Sequence, residues 1–102
     1  MPKAVQTPAT DLPISSARNR EKGCFRGVVS AIVYDPANRR KYFQADLFDG
    51  QATLQLIWLG QEKVAGISPG VKMRVSGLVT TVHKELVIYN PRYTLLSPEN
   101  LD

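Results

Sequence analysis

The sequence predicts an all-β domain, folded as a small five-stranded Greek-key barrel. Short segments alternate between apolar and polar residues, turn signals rich in Gly, Pro, Asn and Asp separate them, and no stretch shows the periodicity of an ordinary helix. A sandwich of six or seven strands is disfavoured because the chain provides too few strand segments. At 102 residues, one domain can bury a core without disulfides or a metal.

Residues 41–59 show the most regular alternation and predict a β-hairpin around Asp49 and Gly50. The sequence does not distinguish a two-residue loop at Asp49-Gly50 from a four-residue loop from Asp49 to Ala52, because both leave one apolar and one mixed face. Trp58 shares parity with the apolar residues, which favours burial over stacking on a base. The mixed face, which carries Tyr42, Gln44, Gln55 and Ile57, is expected to point to solvent.

Residues 24–34 are rich in β-branched and aromatic residues and predict the first strand, with Gly27 at a bend. Uninterrupted alternation places four apolar residues of this strand inward: Phe25, Val29, Ala31 and Val33. Residues 35–40 form a basic turn cluster leading into the hairpin.

After the hairpin, residues 60–66 break the alternation, and we expect a short helical element between the third and fourth strands. Residues 71–83 predict the fourth strand, and residues 86–96 predict the fifth. The fifth strand is interrupted at Asn90-Pro91, since proline lacks an N–H donor and belongs at an edge or bulge.

The chain outside the strands divides into an arm and a tail. Residues 1–22 contain three prolines and no apolar period, so they predict a flexible or extended N-terminal arm. Residues 97–102 predict a polar C-terminal tail, which leaves residues 23–96 as the folded domain.

The charge is basic, with a sequence pI of about 9.5. Residues 18–96 carry twelve Lys or Arg against six Asp or Glu, a net charge of +6, which is compatible with a polyanionic partner or with simple solubility. Cys24 is the only cysteine, so no internal disulfide can form. With no apolar run of about 20 residues and no apolar signal core, we expect a soluble, cytoplasmic protein.

Four segments carry a family resemblance: RGVVSAIV, ADLFDGQATLQLIWLG, ISPGVKMRVSGLV and YNPRYTLL. They resemble stand-alone bacterial OB-fold proteins, and they are similar to the OB-type wedge module of branch-migrating helicases and to anticodon-binding OB domains. The resemblance covers residues 23–96 and agrees with the strand count. It implies a nucleic-acid-binding barrel and brings no catalytic residues with it.

The sequence offers little for catalysis. His83 is the lone histidine and has no second histidine or cysteine at metal-ligand spacing, and Cys24 has no evident base. A glycine-rich phosphate loop with a lysine before a helix is also missing from the sequence. We therefore expect neither enzymatic activity nor a cofactor or metal.

An OB barrel holds single-stranded nucleic acid over its second and third strands, between the loops that join strands one to two and four to five. The candidate site residues are the basic groups near these loops and along strands one and five, together with the outward ladder: Arg26, Arg39, Arg40, Lys41, Tyr42, Gln44, Gln55, Ile57, Lys84 and Arg92. The basic residues could equally be solvated, Tyr42 could pack across the hairpin, and Asp46 on this face would repel phosphate.

The sequence thus predicts a module that binds single-stranded DNA or RNA through phosphate contacts and base stacking. The alternative is a protein-interaction or oligomerisation module that uses the same exposed face. A larger nucleic-acid-processing protein or a second copy of the chain would then be the partner.

Overall fold

The computed structural model describes residues 11–33, 41–61 and 63–96, and nearly all of its regular structure is β-strand. The strands are β1 (Lys22–Val33), β2 (Tyr42–Phe48), β3 (Thr53–Leu59), β4 (Lys72–Val82), β5 (Glu85–Tyr89) and β6 (Arg92–Leu96). They form one sheet in the order β1-β2-β3-β5-β4-β6, and β1 also pairs with β4. This pairing closes the first five strands into a barrel, which confirms the predicted all-β architecture.

The β2–β3 hairpin has the four-residue loop. Phe48 pairs with Thr53, so the loop runs from Asp49 to Ala52. The Asp49 carboxylate accepts the N–H groups of Gln51 and Ala52 at 3.0 Å each, and the Asp49 N–H donates to the Ala52 carbonyl at 3.2 Å. The predicted faces are correct, since both loops preserve them, whereas the two-residue loop is wrong.

A bulge in β1 overturns part of the predicted alternation. Val29 pairs with Leu47, but Ala31 rather than Ser30 pairs with Asp46, so Ser30 is an extra residue. Beyond it the inward parity changes, and Ile32 packs against the core. The inward assignment of Ala31 and Val33 was therefore wrong, and Val33 is exposed. Periodicity alone assumes an unbroken ladder and cannot show where an extra residue enters.

The last predicted strand is two strands laid end to end along one edge of β4. β5 pairs with β4 residues 79–82 and β6 with residues 72–76. Asn90 lies between them in the left-handed region, with φ at 52°. Its N–H donates to the Ile57 carbonyl at 2.6 Å, and its Oδ1 accepts the Leu59 N–H at 2.9 Å. The predicted interruption at Asn90-Pro91 is thus confirmed, with the asparagine bonding to the end of β3.

Residues 11–21, which belong to the predicted N-terminal arm, pack against the barrel. Leu12 forms a parallel bridge with Phe25 of β1. A single 3-10 turn, Ile14–Ser16, places the Ile14 side chain fully inside the core. The Ile14 N–H donates to the second carboxylate oxygen of Asp49 at 2.8 Å. The packed domain therefore includes residues that precede the predicted boundary at residue 23.

The expected helical element between β3 and β4 is replaced by turns in the residues described there. Val64 and Ile67 enter the core, and the Ile67 N–H donates to the Val64 carbonyl at 3.3 Å. Across the described ranges, no helix is long and apolar enough to cross a membrane. The helical turn of the described chain is the one at Ile14–Ser16 instead.

Trp58 lies in the core, as its parity predicts. It is 5% exposed, and its Nε1–H donates to the Pro91 carbonyl at 3.2 Å. Its ring meets that of Tyr93 edge-on at 5.7 Å between centroids. The Tyr93 hydroxyl donates to the Ala65 carbonyl at 3.0 Å, so this tyrosine also has a structural role.

Candidate nucleic-acid interface

The outer surfaces of β2, β3 and β5 form one continuous face with apolar and aromatic side chains. Ile57 lies between Gln44 of β2 and Tyr89 of β5 in a row across three strands. The next row pairs Tyr42 with Leu59. Leu59 and Tyr89 are exposed, and Tyr42 and Ile57 are half-buried. We call Tyr42, Ile57, Leu59 and Tyr89 the aromatic face.

Well-packed residues hold the aromatic face in place. Alternate residues of β2 and β3, including Phe43 and Trp58, are buried beneath it. The two hydrogen bonds between β3 and Asn90 tie the ends of β3 and β5 together beside Leu59. The tyrosine rings are therefore presented from regular strands, which position a binding surface more firmly than loops do.

One end of this face is acidic. Asp46, Gln55, Lys84 and Glu85 line a cleft of about 350 Å³. The Gln55 amide donates to Glu85 Oε1, and the Gln44 amide lies 3.4 Å from Asp46 Oδ1. Lys84 thus shares this cleft with two carboxylates, which weaken its attraction for phosphate.

The structure brings together six of the predicted site residues. Tyr42, Gln44, Gln55 and Ile57 share the outer face, Lys84 lies at its acidic end, and Lys41 borders the opposite end. The Lys41 carbonyl accepts the Gly60 N–H at 2.8 Å, just beyond Leu59. Arg39 and Arg40 lie outside the described residues.

Arg26 and Arg92 lie on another side of the barrel. Arg26 of β1 is directly opposite Arg74 of β4, and Arg92 of β6 is opposite Ser76. Arg74 donates to both oxygens of Asp11 at 2.9 and 3.1 Å, and Arg26 forms a longer ion pair with the same carboxylate at 3.5 Å. The structure does not unite these two arginines with the β2–β3 face.

Asp11 and Cys24 are electrostatically coupled beneath these arginines. Partial burial would raise the pKa of Asp11, but the hydrogen bonds and positive charge of Arg74 more than offset it and lower the pKa. Burial and the neighbouring Asp11 raise the pKa of the Cys24 thiol, which lies 3.3 Å from the carboxylate. The cysteine is therefore a neutral thiol at neutral pH.

Sequence reasoning missed Leu59 and Tyr89. Tyr89 joins the face because β5 runs parallel to β3 and pairs Tyr89 with Ile57. Residues 86–89 are apolar throughout, and Val87, which has the same parity as Tyr89, is buried, so alternation there does not mark Tyr89 as outward. Which strand lies beside β5 cannot be read from that alternation.

The described ranges contain no group of three or more His, Cys, Asp or Glu that could hold a metal ion. The aromatic face and the acidic cleft are both open surfaces rather than enclosed pockets. Stacking, apolar contact and electrostatic attraction are the interactions that such a surface can provide.

No protein-family model matches the chain, and no curated protein matches its sequence. Among solved structures, an aspartyl-tRNA synthetase from Entamoeba histolytica superposes with a TM-score of 0.66 at 17% identity, over 95% of this chain and 24% of that one. A replication protein A heterotrimer bound to ssDNA gives 0.60 at 16% identity, over 93% and 72%. The S. pombe Stn1–Ten1 complex gives 0.58 at 17% identity, over 78% and 60%.

These neighbours are OB-fold domains. The fold is an OB fold. This chain spans about a quarter of the length of the synthetase, so the likeness concerns one domain of that protein. At such low identity the likeness establishes the OB architecture, and the functional argument rests on the surface of this chain.

Proposed function

We propose that the protein is a non-catalytic module that binds single-stranded DNA or RNA across the aromatic face. The observation that supports this proposal is the pair of tyrosines, Tyr42 and Tyr89, on the outer surface of β2, β3 and β5. In OB barrels, this surface and its flanking loops bind oligonucleotides. The replication protein A neighbour, solved with ssDNA, has the same fold.

The side chains suit stacking with little sequence preference. Bases would stack on Tyr89 and Tyr42 and pack on Ile57 and Leu59, because every base has an aromatic face. The Gln44 amide, beside Ile57, can exchange hydrogen bonds with a base edge. Lys41 borders the face and would contact phosphate, as would Arg39 and Arg40 if the loop between β1 and β2 follows its predicted role.

The test is a titration with thymidine and uridine oligonucleotides, followed by labelled-oligonucleotide anisotropy at low and moderate salt. Tyr89→Leu keeps an apolar side chain but removes the ring. Stacking contributes about 1–3 kcal/mol per base. Because Tyr89 is partly exposed, we expect a loss near the lower end of this range, so the affinity should fall about 5- to 10-fold.

Phe48→Leu is the matched control. Phe48 and Tyr89 are both 42% exposed, but Phe48 is near the β2–β3 loop, beyond Asp46. We expect this variant to keep wild-type affinity. If neither polymer binds at low salt, or if both variants lose affinity equally, the aromatic face is not a base-stacking site.

A second candidate is a protein-docking or self-association surface on the same face. Leu59 and Tyr89 are both exposed at diagonal positions on adjacent strands, which favours it, since contiguous apolar surface is typical of interfaces. Sedimentation across protein concentrations distinguishes the two functions. An increase in mass without oligonucleotide affinity, retained in Tyr89→Leu, would support docking over nucleic-acid binding.

A further inference from the structure

The described positive charge is concentrated away from the aromatic face. Around that face Lys41 and Lys84 are matched in number by Asp46 and Glu85. The outer surface of β1, β4 and β6 instead carries five cations, which we call the basic face: Lys22, Arg26, Lys72, Arg74 and Arg92.

Strand geometry spreads these cations evenly over the basic face. On β1 and β4 they alternate with Phe25, Met73 and Val75, which are buried, so the cations point outward. Neighbours two residues apart on a strand are separated by about 6.7 Å, and adjacent strands by about 4.8 Å. Lys72 pairs with Val28, which lies six residues from Lys22 on β1, so the positive surface is about 20 Å long and about 10 Å wide across three strands.

Little negative charge offsets these cations. Asp11 pairs with Arg26 and Arg74. Lys22, Lys72 and Arg92 form no ion pair with any residue in the described ranges. Lys22 and Arg92 also line a cleft of about 730 Å³ whose described walls include no Asp or Glu. Asp49 also lines a cleft of about 470 Å³ with Arg26 and Lys72. This side of the barrel therefore has a net charge of about +3, counting Asp11 and Asp49.

The two faces meet at Tyr89. Tyr89 and Asn90 line the same cleft as Arg92 and Lys22. Tyr89 is also part of the aromatic face, and Asn90 bonds to Leu59. A nucleic-acid strand bound across the aromatic face can thus pass Tyr89 and reach β6 while it stays in contact with the protein surface.

We infer that the basic face binds the phosphate backbone of the nucleic acid beyond the bases stacked on the aromatic face. This inference rests on the proposed function and adds the direction in which the nucleic-acid strand leaves the aromatic face. Asp46 and Glu85 repel phosphate at one end of the aromatic face, so the strand leaves past Tyr89. Between its cations the basic face carries Ser76, Cys24 and Thr94, and the exposed ring of Phe48 lies only at its border, so its contacts are mainly ionic and independent of sequence.

The test uses thymidine oligonucleotides of about 6 and about 20 nucleotides, which bracket the usual site sizes of one OB fold. Lys72→Gln/Arg92→Gln removes two cations, one on β4 and one on β6, that form no ion pair within the described ranges. Arg18→Gln/Lys63→Gln removes two exposed cations elsewhere and is the charge-matched control. Thermal unfolding of each variant checks that the fold is intact.

We expect the longer oligonucleotide to bind more tightly to the wild type, with a steeper salt dependence. In Lys72→Gln/Arg92→Gln, the slope of log affinity against log salt for this oligonucleotide should become shallower by about 1.4, and the affinity at about 50 mM salt should fall about tenfold. The shorter oligonucleotide should bind as before. The control pair should leave the longer one nearly unaffected.

Equal losses of affinity in the test and control variants would mean that only the net charge of the protein matters, which would overturn the inference. Equal losses for both oligonucleotides would also overturn it, because Lys72 and Arg92 would then belong to the primary site. Failure of the wild type to bind either oligonucleotide would refute the proposed function itself. If the wild type binds both oligonucleotides equally tightly and neither double variant changes the affinity, only the inference about the basic face is refuted.

Discussion

Replacing Ile14 with alanine tests whether the segment before β1 is part of the hydrophobic core. Ile14 is 0% exposed and belongs to the core cluster. The substitution removes three carbons, which at about 0.8 kcal/mol each is about 2.4 kcal/mol of transfer free energy. A residual cavity should bring the loss to about 3 kcal/mol, within the usual range for Ile→Ala. For a domain of this size, the midpoint of thermal unfolding should fall by about 12 °C or more.

Urea unfolding followed by the emission of Trp58, the only tryptophan, measures this loss directly. We expect a lower midpoint concentration with an unchanged m-value, because the surface exposed on unfolding hardly changes. Ser15→Ala is the control, since Ser15 is exposed on the same turn. A loss in Ile14→Ala of less than about 1 kcal/mol, close to that of the control, would refute the burial of Ile14 in the core.

Two further predictions concern the carboxylates that hold the N-terminal segment. Asp11→Asn should raise the affinity for the longer oligonucleotide about threefold, because Arg26 and Arg74 lose their counter-charge. Anisotropy titration measures this affinity. Unchanged or weaker binding would contradict a role for these arginines. Hydrogen bonds from the Ala52 and Ile14 backbone lower the pKa of Asp49, and Arg74 lowers that of Asp11, from the ordinary 3.8. The stability they contribute is therefore present above about pH 4 and lost as pH falls through the lowered values. Thermal unfolding from pH 7 to pH 2 should show this loss, with a smaller loss in Asp49→Asn than in the wild type.

Local patterns predicted the hairpin correctly because its chemistry is local. The β pleat has a period of two residues, so alternation in 42–48 and 53–59 assigns each side chain to a face under either loop length. The Asn90-Pro91 break could likewise be predicted, since proline cannot donate to a ladder. These features do not depend on which other strands complete the barrel.

The candidate site was predicted mainly where it lies on the hairpin. Tyr42, Gln44, Gln55 and Ile57 share a face because they belong to two strands joined by one loop. Tyr89 reaches the same face through a parallel pairing with a strand about thirty residues earlier in the chain. No local periodicity encodes that pairing.

The sequence alone determined the strand content, the buried side of the hairpin, the basic charge and the single cysteine. Tertiary structure decided three other features: the bulge at Ser30, the insertion of Ile14 into the core, and the separation of Arg26 and Arg92 from the aromatic face. Each depends on how distant strands pair to close the barrel. Local alternation orders side chains along a strand, whereas closure determines which strands, and therefore which charges, become neighbours.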